Sequence, residues 1–222
     1  MKIECGPKHD KRILNFILPV YPDTIAKSVL NIYCKIHGIS RNYKIGVLVS
    51  GGIDSALLYY LLLYENQFLK KKFEITPYTI LRKEGSKNYA IKVINYINSI
   101  FNIPCHTLNV VGDATLSEFQ QVESGAIEVL LFNDFLYTGI IEARPEHSIN
   151  WIRHKFSETF RKKYPLLHLQ KSHVIDLIYT LSLEPIFQIT HSCAVNEITP
   201  CLECNGCRER KWGFLELDKT PV

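Results

Sequence analysis

Between Lys44 and Asn66 lies the feature that most constrains the fold. The apolar run Ile45-Gly46-Val47-Leu48-Val49 leads directly into Ser50-Gly51-Gly52-Ile53-Asp54-Ser55 and then into ALLYYLLLYEN. A short, largely β-branched run reads as a buried strand, and the leucine- and tyrosine-rich stretch beyond the glycines reads as a helix. Strand, tight glycine turn and helix is therefore the implied order.

The alternation continues downstream. A second strand fits Ile75 to Leu81, and a helix fits residues 87–101, where Ala90, Val93, Ile94, Ile97 and Phe101 recur at spacings of three and four. Pro104 introduces a third strand, Cys105 to Val111, followed by a helix from about Ser124 to Phe135 and a strand from Phe135 to Glu142. The polar stretch from Arg144 to Lys163 reads as a solvated helix or as a loop that meets phosphate, and residues 172–182 read as helix again. Strands and helices alternating at this spacing predict an α/β fold, a parallel sheet flanked by helices on both faces. Three regions follow: an N-terminal extension over 1–43 with an amphipathic helix (Ile25, Val29, Tyr33, Ile36), a main domain over 44–190, and a cysteine-rich segment over 191–222.

With 222 residues, 46% of them hydrophobic and 22% charged, one dominant core is expected, and disorder, collagen-like repeats and coiled coil are excluded. A formal net charge of +4 is too small to mark a nucleic-acid or membrane binder, though it permits an anionic ligand. No apolar run approaches the roughly 18 residues of a membrane span, and the start MKIECGPKHDKR is charged where a secretory signal turns hydrophobic. A cytoplasmic location is the expectation.

At the carboxyl end of a parallel strand, a helix N-terminus offers backbone N–H groups and a partial positive charge to an anion. Gly51 and Gly52 let the backbone approach a phosphate closely, and the hydroxyls of Ser50 and Ser55 supply further donors. The turn lacks both the GK[ST] ending of a Walker A loop and the GxGxxG spacing of a dinucleotide fold. A plain strand-to-helix turn capped by Asp54 or Ser55 remains the alternative. The stretch Leu48-Val49-Ser50-Gly51-Gly52-Ile53-Asp54-Ser55, however, resembles the SGGxDS signature of the PP-loop ATP pyrophosphatases, and the resemblance implies that these residues bind ATP by its pyrophosphate.

Seven cysteines is an odd number in a chain too large to need disulfide staples, and four of them crowd into positions 193 to 207. Cys201, Cys204 and Cys207 form C-x2-C-x2-C, with Cys193 eight residues upstream. Four thiolates close the tetrahedral shell of a structural Zn2+, at bond lengths of about 2.3 Å, and leave no open position for catalysis. An iron–sulfur cluster competes for the same ligands, and His191 is an alternative to Cys193. Cys5, Cys34 and Cys105 are isolated and read as small buried or incidental residues.

The stretch from Pro165 to Lys171, a helix, Thr190-His191-Ser192-Cys193 and the run Cys201 to Arg210 together resemble the C-terminal third of the QueC family of 7-cyano-7-deazaguanine (preQ0) synthases. The resemblance implies that 7-carboxy-7-deazaguanine is adenylylated by ATP, aminated by free ammonia and adenylylated again to give the nitrile, for queuosine or other deazaguanine modification of nucleic acids. It implies that Ser50, Gly51, Gly52 and Ser55 hold pyrophosphate and that Asp54 orients the turn or binds Mg2+. Lys171 would meet the phosphates or the leaving AMP, Arg144 the substrate carboxylate, and the four cysteines Zn2+. Small molecules are the expected partners, with no membrane and no direct nucleic-acid contact, and related synthases form homodimers. Competing readings are a PP-loop enzyme with another acceptor, such as a tRNA base to be thiolated or a protein terminus, and a nucleotide-binding partner protein with altered chemistry.

Overall fold

The computed structural model describes residues 1–16, 43–68, 73–80, 86–104, 108–113, 115–116, 118–142, 159–196 and 198–221. In chain order the strands are β1 (Lys2–Cys5), β2 (Arg12–Asn15), β3 (Lys44–Leu48), β4 (Glu74–Ile80), β5 (Asn109–Val111), β6 (Phe135–Thr138) and β7 (Lys162–Lys163). The helices are α1 (Ile53–Phe68), α2 (Ser86–Ile100), α3 (Glu118–Phe132), α4 (Lys171–Thr180), α5 (Ile186–Ile189) and α6 (Asn205–Leu215). The amphipathic helix expected within 1–43, together with Cys34, Cys105 and Arg144, falls outside the described residues.

β3, the strand that leads into the glycine motif, is the centre of a five-stranded parallel sheet of order β5-β4-β3-β6-β7. Its alternate residues serve two cores, as the period of two in a strand requires. Ile45, Val47 and Val49 join the larger core under α1, α2 and α4, whereas Leu48 joins a smaller one with Tyr78, Ile80, Val129 and Leu136 beneath α3. Helices thus cover both faces, as the alternation predicts. Gly46 is required by this sandwiching, because a Cβ there would collide with Val129 on α3.

The expected boundaries shift where packing intervenes. The strand expected over Phe135 to Glu142 stops at Thr138. Gly139 then passes so close to α1 that a Cβ on it would lie 2.9 Å from the Asp54 carbonyl and from the Ser55 Cα. The helix expected from about Ser124 to Phe135 begins earlier and ends earlier, at Glu118 and Phe132. Chain order reverses between β3 and β6, and this is where an open parallel sheet leaves a crevice at its carboxyl edge.

Residues 1–16 contribute a hairpin in which β1 and β2 pair antiparallel from Lys2↔Asn15 to Cys5↔Arg12. It shares the main core: Cys5, Leu14 and Phe16 are fully buried within the larger cluster. Arg12 ties it down, donating to both carboxylate oxygens of Asp10, to Glu142 at 2.6 Å and to the His168 carbonyl at 2.6 Å. The Gly6 N–H donates to Asp176 on α4. No helix among the described residues is long and apolar enough to cross a membrane.

Candidate functional site

The turn after β3 is shaped from inside. Ser55 Oγ donates to the Gly52 carbonyl at 3.0 Å, accepts from the Ser50 N–H at 3.1 Å and lies 3.1 Å from Ser50 Oγ. One buried hydroxyl therefore closes the loop, where the sequence alone suggests a ligand contact. Gly51 has φ +83°, and a Cβ on it would run into Tyr89 and the Ala90 nitrogen of α2, so no other residue fits there without strain. Gly52 has more room, since a Cβ on it would meet nothing nearer than Ser50 Oγ at 3.5 Å, and its backbone stays approachable. The first-turn N–H groups of α1 point from this end, with the helix dipole behind them.

Facing the turn is a cleft of about 210 Å³ whose walls include Ser50, Gly52, Asp54, Lys171, His191 and Glu209. From sequence, Lys171 is either a cation for phosphate or a solvent-exposed lysine before a helix. It is only 4% exposed, the first residue of α4, and its Nζ donates to Asp54 Oδ2 at 2.5 Å across 117 residues of sequence. Glu209, on α6, lies 3.4 Å from the same nitrogen. Burial disfavours the Lys171 charge, but Asp54 and Glu209 outweigh it and hold its pKa above the usual value. For Asp54, burial pushes the pKa up; the Lys171 charge counteracts this and Glu209 reinforces it. Two carboxylates thus share one ammonium, and Asp54 Oδ1 is left buried with no hydrogen-bond partner among the described residues. An orphaned carboxylate oxygen next to an anion-ready turn fits a hard cation such as Mg2+ arriving with a phosphate ligand.

The four predicted cysteines converge. Their Sγ atoms all lie within 4.8 Å of one another, and Cys204 Sγ is 4.0 Å from Cys193 Sγ. A single tetrahedral ion with bonds of about 2.3 Å places its sulfurs about 3.8 Å apart, so the spacing fits one ion held by all four. The surroundings suit thiolates: the N–H groups of Asn196 and Cys201 donate to Cys193 Sγ at 3.3 and 3.5 Å, and that of Cys204 donates to Cys201 Sγ at 3.3 Å. Against the opposing effect of burial, backbone N–H groups led by Cys201 draw the Cys193 thiol down to about 6, whereas burial drives Cys207 up to about 12. His191 stays apart from the four sulfurs, with its Nε2 on the Asn196 carbonyl and its ring stacked on Tyr89 at 4.6 Å.

Knot and cleft are mechanically joined. Gly206 admits the Ser192 carbonyl where a side chain would collide, and Gly213 brings α6 against Lys171 and Ile175 on α4, with a Cβ position 2.9 Å from each side chain. That docking carries Glu209 to Lys171. Sequence reasoning gave Glu209 no role: it lies within the Cys201-to-Arg210 run that carries the family resemblance, but no local pattern sets it apart from its charged neighbours. It also missed the Tyr89–His191 stack and the approach of Gly139, for which the sequence carries no local signal. Of the predicted residues, Ser50, Gly52, Ile53, Asp54, Lys171 and Cys193 line one cleft, whereas the buried Leu48, Val49, Gly51 and Ser55 are not among its walls.

The model of the family described as queuosine biosynthesis protein QueC matches residues 142–218, a stretch that includes Lys171 and the four cysteines and lies beyond the glycine turn. No curated protein matches the chain in sequence. Among solved structures, the U34-tRNA thiolase NcsA from Methanococcus maripaludis, with its [4Fe-4S] cluster, is similar at 17% identity and TM-score 0.44, over 77% of this chain and 67% of that one. An NMN synthetase from Francisella tularensis is similar at 13% identity and TM-score 0.45, over 92% of this chain and 89% of its own. An NAD+ synthetase from Burkholderia pseudomallei is similar at 13% identity and TM-score 0.39, over 81% and 70% respectively.

Proposed function

We propose that this chain is an ATP-dependent adenylylating synthase of the QueC type, which converts 7-carboxy-7-deazaguanine and ammonia into 7-cyano-7-deazaguanine. The observation that carries the reading is the meeting of Lys171 with Asp54. A lysine from the segment that matches the QueC model closes onto the glycine turn that the model does not cover, and neither motif alone would require this.

In the first half of the reaction the substrate carboxylate oxygen attacks the α-phosphorus of ATP as the bond to pyrophosphate breaks. The turn's N–H groups receive the leaving pyrophosphate, and Lys171 supplies a desolvated positive charge beside it. Ammonia then attacks the acyl carbon, AMP leaves, and an amide remains after loss of a proton. In the second half the amide oxygen attacks the α-phosphorus of another ATP and expels its pyrophosphate. Loss of AMP and of the remaining nitrogen-bound protons forms the nitrile. The protein's share is positioning and electrostatics: it holds the two reactants in line and keeps Lys171 charged between Asp54 and Glu209. Mg2+ would be held by Asp54 and would neutralise phosphate charge. Zn2+, held by Cys193, Cys201, Cys204 and Cys207, would be structural, since four thiolates leave no open position.

The test is to incubate the zinc-loaded protein with ATP, Mg2+, ammonium and 7-carboxy-7-deazaguanine while following AMP, pyrophosphate and product mass. The reading expects two AMP per nitrile, with the amide as an intermediate. ATP binding without acid-dependent AMP would rule this acceptor out.

A further inference from the structure

A second cavity, of about 430 Å³, adjoins the glycine-turn cleft. The two share a wall made of Tyr89, His191, Ser192 and Cys193. The far side of the larger cavity is formed by Phe187 and Gln188 of α5 and by Ile198, Pro200 and Leu202 of the cysteine loop. Its size falls in the range of small-molecule sites, roughly 300–1,000 Å³.

Three features of this cavity bear on what it holds. Its walls are largely apolar and aromatic, and Ile198 and Leu202 project into open space at 84% and 66% exposure, although a polar residue would cost nothing there. It also contains its own cations, Arg210 and Lys211. The phosphates of ATP are already provided for across the shared wall by the turn and Lys171, so these additional charges suit a ligand that carries an acid of its own. Finally, Arg210 is held in the wall of this cavity on the side towards Asp54. Its guanidinium donates to the Thr190 carbonyl, to Thr190 Oγ1 and to the Phe187 carbonyl, and it is close enough to Asp54 to feel that charge. A flat ring against apolar walls, with an anionic group directed at Arg210, satisfies all three.

We infer that the larger cavity binds the acceptor of the adenylyl group, a planar heteroaromatic acid, with its ring between α5 and the cysteine loop and its carboxylate at the edge that opens on the glycine turn. This rests on the adenylylating reading given above and adds the location of the second substrate. It also gives the metal knot a use beyond stability, because the loop that binds the ion forms one side of the substrate cavity.

Gln188→Trp and Ile198→Trp fill the cavity from opposite walls, and neither residue lines the glycine-turn cleft. Gln188→Glu keeps the size of the side chain and adds a repelling charge. Calorimetry on the zinc-loaded protein would measure the Kd for 7-carboxy-7-deazaguanine, for uncharged 7-deazaguanine and for ATP separately, alongside zinc content and AMP formation. Each tryptophan is expected to weaken binding of the acid by about tenfold or more while the ATP Kd stays within about twofold and zinc content is unchanged. Gln188→Glu is expected to weaken the acid more than 7-deazaguanine. The assignment is overturned if wild-type protein binds no such acid, if the variants leave the acid's Kd unchanged, or if ATP weakens in parallel, which would make the cavity the nucleoside site. AMP formation with unchanged acid affinity in the variants would leave the reaction standing and remove the cavity; tight, tryptophan-blocked binding of the acid without AMP would do the reverse.

Discussion

The glycine turn and the cysteine knot are both short, local motifs that face the same cleft, yet they keep their shapes by different means. The turn is set in the middle of the main core: Ile53 and Ser55 are buried, Val49 is fully enclosed, and α2 and Gly139 press on it from two sides. The knot is more open, although Cys193 and Cys207 are buried. Cys201 and Cys204 are half-buried, Val195, Ile198 and Leu202 stand exposed, and Leu202 takes a left-handed φ of 63° that only an over-determined loop keeps. Burial preorganises the first motif, whereas the second has the ligand set for a metal ion to do the same, so with a metal bound the two should come apart under different treatments.

Metal removal should have the largest effect. Chelation, or Cys204→Ala, is expected to release the loop and loosen α6, because the binding free energy of a structural metal is folding free energy for the segment it ties together. Hydrogen exchange should report deprotection over 198–215 while β3 and α1 keep theirs. Equal loss in β3 would mean that the turn also depends on the metal.

Next in size is the link between them. Lys171→Met removes the ammonium that Asp54 and Glu209 share, leaving two carboxylates facing each other in a partly enclosed site, at a cost of about 3 kcal/mol. Denaturant unfolding of single and double variants checks this: pairing Lys171→Met with Glu209→Gln should recover part of the loss, and simple additivity would show that the three groups do not act together.

Gly139→Ala should disturb the turn alone. The added methyl would press on the Asp54 carbonyl and the Ser55 Cα, an overpacking cost of about 2 kcal/mol that shifts the end of α1. ATP affinity should fall, and zinc affinity should be unchanged. Coupled loss of both would indicate that the turn and knot move as one body.

The smallest effect concerns neither motif. His173 is fully buried under the hairpin, its Nε2 on the Asp10 carbonyl and its Nδ1 accepting from the Gln170 N–H. Burial depresses its pKa below 6.5, so the unfolded chain takes up a proton first. The stability it confers is complete above pH 6.5 and is lost as pH falls from there through the lowered folded value. Exchange at the hairpin amides should quicken over that window, and His173→Gln should flatten the dependence.

What is legible in the sequence follows the same division. The β3–turn–α1 unit and the C-x2-C-x2-C run can be read because their chemistry is contained in a few consecutive residues. The burial of Lys171 cannot, because it depends on Gly213 letting α6 dock against α4, an event that joins elements with no shared periodicity. The hairpin at 1–16 also escapes sequence reasoning: its two four-residue strands carry mixed polar and apolar residues, and only pairing reveals that Leu14 and Phe16 join Cys5 in the core. Ser55 is legible as part of the turn, but its hydroxyl closes the loop internally.

The central claim is that the glycine turn and Lys171 form one adenylylating site, and exchange of labelled pyrophosphate into ATP, measured without ammonia, tests it most directly. Exchange should require 7-carboxy-7-deazaguanine and should fall by about a hundredfold or more in zinc-loaded Lys171→Met. Exchange that ignores the acid, or that survives the loss of Lys171, would contradict it.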